Sequence, residues 1–451
     1  METRLSDPKA LKKKVFGLVL KIVFRKRRKS VKDKRTRKME LKKYRLGDLC
    51  EVKRGTSLSG KFYATSGEFI RLTCGNFDYT NNKFKENTSK DNIFFTGSVK
   101  QEFVMTKGDL ITPLTEQAVG LLGSTAIIPL SGKYIQSQDI AKIICHESNL
   151  QSKFAYYLIS SKCVKTQLSR AAQQTKIRHT SPEKIKDCTV YIPPLEEQKK
   201  IAGTLALIDR KIELCEAQNR TLEKLARQIY DYWFVQFDFP DENGKPYKSS
   251  GGKMVYNEKL KREIPEGWEV KSVFDILSVQ YGFPFSTSLF TDEKTSIPIV
   301  RIRDILGNTI STYSTEQADA KYLLHKGDLV VGMDGNFHMN YWCDDAAFLN
   351  QRCVRFRSHE NSPVSIVQAR YEIEPFIKAK ERQIAGSTVG HLSDDDIKGL
   401  RLLVPATNFS KMIFDKILSN LISNKNHLKT LSSLRERLLP LLMNGQVEVR
   451  D

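Results

Sequence analysis

Residues 174–187, QTKIRHTSPEKIKD, run into the apolar stretch VYIP at 190–193, and this pattern returns later in the chain. Residues 386–399, GSTVGHLSDDDIKG, run into LLVP at 402–405. A long helical pattern follows each copy, and the string KGDL occurs upstream of each, at 107–110 and 326–329. Repeats of this kind determine the architecture before any local pattern does. The sequence therefore predicts two diverged copies of one globular unit, each followed by a helix.

Length and charge place further limits on the fold. A chain of 451 residues with 40% hydrophobic content predicts two to three folded domains. The net charge is +21, but residues 1–45 alone hold 19 Lys and Arg against 4 Asp and Glu. A basic arm of this kind favours nucleic acid or anionic lipid, and a solvated extension explains it equally well. Its apolar stretch, residues 15–24, is too short for a membrane span of about 20 residues.

Motifs for catalysis and metal binding are absent from the sequence. None of the 8 cysteines forms a CxxC pair, which is typical of a reduced, cytosolic protein. The 7 histidines lack HExxH or Cys/His spacing, so we expect no metal site. The chain also lacks a glycine-rich phosphate loop and a nucleotide fingerprint. We therefore expect no catalytic residues and no cofactor bound by this chain.

Two stretches show the spacing of paired helices. In residues 195–237 the apolar positions, with Asn219 included, alternate in steps of three and four, which predicts a coiled-coil-like helix that needs a partner. A second such helix spans about 409–439, stopped by Pro440 and Gly445. We expect the two helices to pack antiparallel and give a pseudo-two-fold molecule. The predicted helix-pair and docking positions are Leu205, Ile208, Ile212, Asn219, Leu222, Ile229, Trp233, Ile417, Leu421, Leu428, Leu431 and Leu438.

The repeats and helices together predict a mixed α+β fold, with two globular domains separated by two long antiparallel coiled-coil-like helices. Short strand patterns lie at 69–72 and 123–129, and helical patterns lie at 154–165 and 183–187. We expect Trp268–Val270 to repeat Tyr44–Leu46, and Ile299–Arg301 to repeat Phe69–Arg71. The predicted segments are a basic extension at 1–43, a first domain at 44–194, a helix at 195–237, a Gly/Pro-rich linker at 238–267, a second domain at 268–405, and a helix and tail at 406–451.

Five strings then carry a resemblance to a known family. They are IPPLEEQKKIA (192–202), LARQIYDYWFVQFDFP (225–240), GKPYKSSGGKMV (244–255), IPEGWEV (264–270) and LRERLLPLLMNGQVEV (434–449). In this order they closely resemble the specificity subunit of type I restriction–modification enzymes. The resemblance covers residues 44–451 and leaves out the basic extension.

The resemblance implies a division of labour within a cytoplasmic complex for phage defence. Each globular unit would be a target recognition domain that binds one half of a split site in double-stranded DNA. The helices would set the spacer and dock two methyltransferase subunits, and restriction subunits would complete the nuclease. S-adenosylmethionine, ATP and Mg²⁺ would be bound by those partners. The chain itself would be a non-catalytic subunit.

DNA contacts should come from Lys and Arg on phosphates, and from Arg, Lys, Asn, Gln, Ser and Thr on base edges. Loops at 334–338 and 350–352 contribute several of the candidates, whereas Asp109 and Asp328 more plainly close turns. The predicted DNA-binding residues are Arg71, Asn76, Lys107, Gln173, Gln174, Thr175, Lys176, Arg178 and His179 in the first domain, and Arg301, Arg303, Asn336, Arg352, Gln383, Ser387, Thr388 and His391 in the second.

Three functional hypotheses follow. A helix over residues 196–232 would be about 55 Å long, enough to hold two DNA-binding units about one duplex turn apart. The first hypothesis is therefore a DNA sequence-recognition subunit. The second is a stand-alone DNA methyltransferase or nuclease. The sequence speaks against it, because the chain has no cofactor motif and no spare length for a catalytic domain. The third is a nucleic-acid or membrane-associated scaffold built on residues 1–43.

Overall fold

The computed structural model describes residues 40–88, 91–116, 120–171, 178–384 and 390–449. The chain divides into two compact units, which are described separately. Unit 1 comprises Met1–Arg210 and Ser432–Asp451, and unit 2 comprises Lys211–Leu431. Six of the predicted DNA-binding residues lie outside the described residues: Gln173, Gln174, Thr175, Lys176, Ser387 and Thr388. Most of the basic extension lies outside them as well.

Unit 1 is built on two four-stranded sheets. One is antiparallel, in the order β10-β8-β12-β2, and the other is mixed, in the order β11-β4-β7-β3, with β11 parallel to β4. The strands are β1 (Lys42–Arg45), β2 (Cys50–Arg54), β3 (Tyr63–Ala64), β4 (Phe69–Arg71), β5 (Phe77–Asp78), β6 (Lys83–Phe84), β7 (Phe94–Phe95), β8 (Leu110–Pro113), β9 (Thr115–Glu116), β10 (Ala126–Ile127), β11 (Tyr134–Ile135), β12 (Ile140–Cys145), β13 (Arg178–His179) and β14 (Thr189–Ile192). Its short helices are α1 (Ser152–Ile159), α2 (Lys162–Ala171) and α3 (Pro182–Lys186).

Unit 2 repeats this plan with a second pair of four-stranded sheets. Their orders are β18-β25-β22-β23 and β19-β21-β20-β24, with β20 parallel to β24. The strands are β15 (Met254–Asn257), β16 (Arg262–Pro265), β17 (Glu269–Ser272), β18 (Leu277–Tyr281), β19 (Phe290–Thr291), β20 (Ile297–Val300), β21 (Thr312–Ser314), β22 (Leu329–Gly332), β23 (Met339–Tyr341), β24 (Phe348–Leu349), β25 (Cys353–Ser358) and β26 (Arg401–Val404). The long helix α4 (Leu195–Tyr230) enters this unit from unit 1, and the helices that follow are α5 (Val273–Ile276), α6 (Ile302–Ile305), α7 (Ile366–Ile384), α8 (Asp394–Lys398) and α9 (Phe409–Met443).

The strand registers correct the predicted alignment of the two copies. Lys42 pairs with Ile192 in unit 1, and Glu269 pairs with Val404 in unit 2. Trp268–Val270 therefore does not repeat Tyr44–Leu46, and the correspondence moves by three residues. The turns after β1 and β17 agree with this shift, because in each an aspartate carboxylate accepts a backbone N–H three residues earlier at 3.2 Å. The donors are Arg45 and Ser272.

The start of the next turn corrects the second predicted match. Thr73 donates its backbone N–H to Asn76 at 2.9 Å, and Arg301 donates its own to Asp304 at 3.0 Å. Arg301 therefore takes the place of Thr73 and not that of Arg71. Because both acceptors are fully buried, the two turns have the same structural support in the two units.

The KGDL strings form matching turns, which confirms the predicted role of their aspartates. Asp109 accepts the backbone N–H of Thr106 at 2.8 Å, and Asp328 accepts that of His325 at 2.7 Å. Gly108 and Gly327 adopt φ values of 96° and 95°, a conformation that favours glycine. Each turn then leads into a buried strand, β8 or β22.

The long helices differ from prediction at their ends. Helix α4 continues into a π-helical turn at Asp231–Val235. Helix α9 does not stop at Pro440 but runs to Met443, so this boundary was wrong. A proline removes one backbone donor without preventing the next turn from forming. Gly445, the second predicted stop, follows the end of the helix; it adopts a φ of 64° and donates its N–H to the carbonyl of Leu442.

The predicted heptad positions pack inside each unit. In unit 1, Leu205, Ile208 and Leu438 are buried, and Arg435 contacts Asp209 at 2.5 Å. In unit 2, Trp233 packs its ring 5.2 Å from that of Phe409, at the start of α9. Each unit thus holds part of both helices, and the contacts join the start of one helix to the end of the other, as antiparallel packing requires. Asn219, Ile417 and Leu421 are also buried, and Ile212, Leu222, Ile229, Leu428 and Leu431 are half-buried.

The segment at 238–267 is more ordered than a flexible linker. It contains the β15–β16 hairpin, and Phe239 stacks on Tyr247 at 4.8 Å and on Trp268 at 4.9 Å. These aromatic contacts bury apolar surface, which offsets the conformational entropy that a Gly/Pro-rich segment loses on ordering. Elsewhere, the predicted helix at 154–165 is two helices, and the predicted strand at 123–129 is limited to Ala126–Ile127. Within the described residues, no helix combines the length and apolar character needed to cross a membrane.

Asn219 generates a prediction about the helix pair. Its side chain is buried, and its Oδ1 lacks a hydrogen-bond partner. Because an unsatisfied buried polar group costs about 1–3 kcal/mol, we expect Asn219→Leu to increase the free energy of unfolding by about 1–2 kcal/mol. Urea denaturation followed by circular dichroism measures this change. The exposed neighbour Gln218, changed to Leu, is the control and should give no gain. A lower stability of Asn219→Leu would contradict the prediction.

Candidate functional site

A concave site lies in unit 2. We call it the arginine pocket, a half-open depression of about 330 Å³. Three loops form it: the start of α6 after β20, the connection between β22 and β23, and the connection between β24 and β25. Four predicted DNA-binding residues, separated in sequence, meet here. The lining residues are Arg301, Ile302, Arg303, Asn336, His338, Asn350 and Arg352.

Backbone hydrogen bonds hold the three loops at fixed positions. Asn350 donates its N–H to the carbonyl of Val300 at 3.1 Å, which ties the third loop to the first. Met333 donates to the carbonyl of Arg352 at 2.9 Å, which ties the second loop to the third. Gly335 adopts a φ of 68°, which lets the second loop turn back sharply. The polar side chains therefore project from a rigid frame.

Two of the arginines are anchored by neighbouring side chains. The guanidinium of Arg303 donates to the hydroxyls of Ser311 at 2.8 Å and Thr312 at 2.9 Å. The guanidinium of Arg301 lies 5.7 Å from the ring centre of Phe290. These contacts restrict both side chains before any ligand arrives, which lowers the entropy cost of binding.

Arg352 belongs to a chain of three side chains. Its Nε lies 3.3 Å from Oδ2 of Asp334, and the other carboxylate oxygen, Oδ1, lies 2.6 Å from Nδ1 of His391. The buried thiol of Cys353 comes next in the sequence, and burial raises its pKa to about 12. That thiol therefore stays protonated at neutral pH and offers no nucleophile to the pocket.

The serines, and not the histidines, cap the helices that follow the two matched histidines. Ser181 accepts the N–H of Lys184 at 3.3 Å, and Ser393 accepts that of Asp396 at 3.2 Å. His179 lies in β13 and pairs with Thr115, whereas Arg178 pairs with Glu116 in the same register. The predicted helix at 183–187 is confirmed as Pro182–Lys186, a matching helix follows Ser393, and both histidine side chains are left exposed.

The register identifies the unit 1 counterparts of the arginine pocket. Leu114 donates its N–H to the carbonyl of Asp139 at 2.8 Å, as Met333 donates to that of Arg352. Asp139 therefore takes the place of Arg352, and Thr115 takes that of Asp334. Sequence inspection named the loop that contains Asp334 but assigned no role to Asp334 or Asp139 themselves. The constant spacing after each KGDL string could have located Asp334 and its counterpart Thr115, whereas Asp139 is located only by its backbone bond to Leu114.

Two first-domain candidates lie inside unit 1. Arg71 is buried, donates to the carbonyl of Asn92, and stacks 3.9 Å from the ring centre of Tyr63. Asn76 is fully buried; it accepts from Thr73 and donates to the carbonyl of Lys85. These positions leave neither side chain available to a DNA base in this structure, so neither enters the proposal below.

The remaining candidates are exposed but lie away from the pocket lining. Lys107 is exposed on the KGDL turn, at the opposite end of β8 from Thr115. Gln383 is exposed in the last turn of α7, close in sequence to the undescribed residues 385–389. Within the described residues, no group of three or more His, Cys, Asp or Glu side chains could hold a metal ion.

With the geometry established, comparison with known proteins identifies the family. The family described as type I restriction modification DNA specificity domain matches residues 38–224 and 265–435. The chain belongs to this family. The two matched segments of this specificity protein correspond to the two copies found in the sequence.

Individual relatives agree with this assignment. The MjaIX specificity subunit of a type I restriction enzyme from Methanocaldococcus jannaschii is 26% identical over 325 residues, covering 68% of this chain and 72% of that subunit. The EcoBI specificity subunit from Escherichia coli is 29% identical over 196 residues, covering 42% of this chain and 41% of that subunit. A crystal structure of the type I restriction-modification S subunit from M. genitalium matches with a TM-score of 0.58 at 15% identity, over 93% of this chain and 99% of the other, and so shares the fold.

Burial of Asn76 generates a prediction for this specificity protein. We expect Asn76→Ala to lower the free energy of unfolding by about 1–2 kcal/mol, because the substitution removes a cap from a buried turn. We expect no change in DNA sequence preference. Urea denaturation checks the first effect, and binding to a pool of DNA duplexes checks the second. The exposed Asn81, changed to Ala, is the control. An altered preference at normal stability would contradict the structural role.

Proposed function

We propose that this chain is the DNA sequence-recognition subunit of a type I restriction–modification complex. Each domain would bind one half of a split site in double-stranded DNA. The observation that carries the proposal for the second domain is the arginine pocket, where side chains able to bind base edges and phosphates converge on one concave surface. In the first domain, Arg178 and His179 with the residues at 173–176 remain the predicted contacts, and Asp139 joins them.

The helix pair would set the distance between the two half-sites. Its heptad positions are largely buried within the units, which supports a rigid element and leaves the outer faces of the helices for partners. Exposed apolar side chains on α4, such as Leu214 and Leu225, lie on those outer faces. We propose that they contribute to docking two methyltransferase subunits, and that restriction subunits join the full complex.

The chemistry would belong to the partner subunits. S-adenosylmethionine would be bound by the methyltransferase subunits, and ATP and Mg²⁺ would serve the restriction subunits. This chain would position the target without forming or breaking bonds, and the assembled complex would act in the cytoplasm. The alternatives remain a stand-alone methyltransferase or nuclease, and a scaffold built on residues 1–43.

The first test is co-expression with the cognate methyltransferase subunit, followed by mapping of methylated adenines across the genome. We expect a single split motif with a fixed gap of about 5–8 base pairs, as half-sites about one turn apart would leave. The purified chain alone should not methylate DNA with S-adenosylmethionine.

Three results would contradict the proposal. Methylation by the purified chain alone would favour the stand-alone enzyme. Scattered or absent methylation by a stable complex would favour the scaffold. The third result would be loss of the split motif from a complex whose chain lacks residues 1–43, because the recognition hypothesis requires the same motif from the shortened chain.

Helix length provides a separate prediction. Inserting one heptad into α4 and one at the matching level of α9 keeps the apolar positions in register and lengthens each helix by about 10 Å. We expect the gap of the methylated motif to grow by about 3 base pairs, with both half-sites unchanged. As the control, seven residues inserted at the exposed turn of Gly251 should leave the gap as it was. An unchanged gap after the paired insertion would rule out the helices as the spacer element.

A further inference from the structure

We propose that Arg352 binds a guanine in the half-site addressed by the second domain, and that Asp334 and His391 position it. This inference rests on the proposed function, and it adds the identity of a base and the residue that selects it. The argument uses the orientation of the guanidinium, the support behind it, and the charge beside it.

The guanidinium of Arg352 is paired with one carboxylate and remains partly exposed. Its Nε lies 3.3 Å from Asp334, and 57% of the side chain is exposed. Within the described residues, the Asp334 carboxylate is the only ion-pair or hydrogen-bond partner of this guanidinium. In a planar guanidinium, a carboxylate beside Nε leaves the edge formed by Nη1 and Nη2 for a ligand, and we infer that Arg352 presents this edge. Two parallel donors are thereby presented at the pocket.

Asp334 is itself held in place. His391 contacts its Oδ1 through Nδ1 at 2.6 Å. The backbones of the two residues form a bridge, which the bond from Leu392 to the carbonyl of Met333 extends at 2.8 Å. The side chain of Asp334 is only 27% exposed. A supported carboxylate of this kind limits the rotamers of Arg352, as a precise base contact requires.

Two acceptors side by side are the partner that fits two parallel donors. Guanine presents N7 and O6 in the major groove, and a bidentate arginine contact to them is the commonest specific contact in protein–DNA complexes. A phosphate offers similar geometry but carries a negative charge. The carboxylate of Asp334, 3.3 Å from Nε, reduces the net positive charge of the site and repels a phosphate. The neutral edge of a guanine meets less repulsion.

The first domain lacks this arrangement. Asp139 stands where unit 2 has Arg352, and Thr115 stands where it has Asp334, so an acceptor replaces the donors. A carboxylate selects against the O6 and N7 acceptors of guanine and can accept from the amino group of cytosine. The two half-sites should therefore differ at the corresponding position.

The experiment uses the full chain assembled with its methyltransferase partner. The readouts are the methylated motif and the affinity for duplexes that carry each base at each position of the second half-site. We expect the wild-type complex to prefer guanine at one position by about 5- to 150-fold. Replacing that guanine with 7-deazaguanine, which lacks N7, should remove much of the preference. Arg352→Lys and Arg352→Ala should abolish the preference at this position alone and leave the first half-site intact.

The positioning role has its own variants. Asp334→Asn keeps the shape of the side chain and removes its charge, so we expect a weaker preference at the same base without loss of thermal stability. His391→Ala should give a smaller effect at that base. Arg401→Ala is the matched control, because Arg401 is exposed in the same unit and does not line the pocket. It should preserve the motif.

Each remaining result overturns the inference in a recognisable way. An unchanged motif in Arg352→Ala, with affinity weakened for all sequences and a salt slope lower by about 1, would identify a phosphate contact. A near-normal motif in Arg352→Lys would likewise exclude a bidentate base contact. If the wild-type complex shows no split motif, the proposed function fails and this inference fails with it. A split motif that is unaffected by Arg352 would overturn this inference alone.

Discussion

The packing of the two long helices is the constraint on which the other features depend. Neither helix has an intrinsic reason to stay ordered over its length in water, because most helical stability comes from burying an apolar face. In unit 1, Asp209 satisfies both Arg435 and Tyr157, at 2.5 and 2.7 Å, behind a buried row of leucines and isoleucines. In unit 2 the two helices are held together by aromatic rings packed around Trp233. Each globular domain thus completes its core with helix segments that are distant in sequence.

This arrangement separates a constant framework from variable loops. The KGDL turns, the parallel strand pair and the capped turn after it have the same hydrogen bonds in both units, although few side chains are shared. The two units differ where the strands end. Arg352 of unit 2 corresponds to Asp139 of unit 1, and Asp334 of unit 2 corresponds to Thr115 of unit 1. A framework of backbone hydrogen bonds tolerates such changes, since the side chains at the loop tips do not support the core. Two copies can therefore diverge at their loop tips without losing the fold.

Much of the fold followed from the sequence because repeats and heptad spacing reflect backbone geometry directly. The convergence of Arg301, Arg303, Asn336 and Arg352 was predicted only as a set of residue types, without their contacts. Burial was not predictable: Asn76 has the composition of a DNA contact, yet its amide supports a turn. Alignment of the copies also failed locally, because the segment from the KGDL string to Arg352 is six residues shorter than that from the other KGDL string to Asp139, and such length changes conceal which side chains correspond.

Unit 2 contains two aspartate–arginine pairs close together in sequence, and burial gives them different roles. Asp328 is almost fully buried, and Arg357 directs Nε and one Nη at it, with a further bond to the carbonyl of Leu323. Nε and Nη2 of Arg357 are therefore hydrogen-bonded within the fold, and the pair stabilises the turn. The contact of Asp334 with Arg352 is longer, at 3.3 Å to Nε, and 57% of that arginine side chain is exposed. A buried aspartate can therefore hold a guanidinium within the fold, whereas a carboxylate beside an exposed arginine can position that arginine for a ligand.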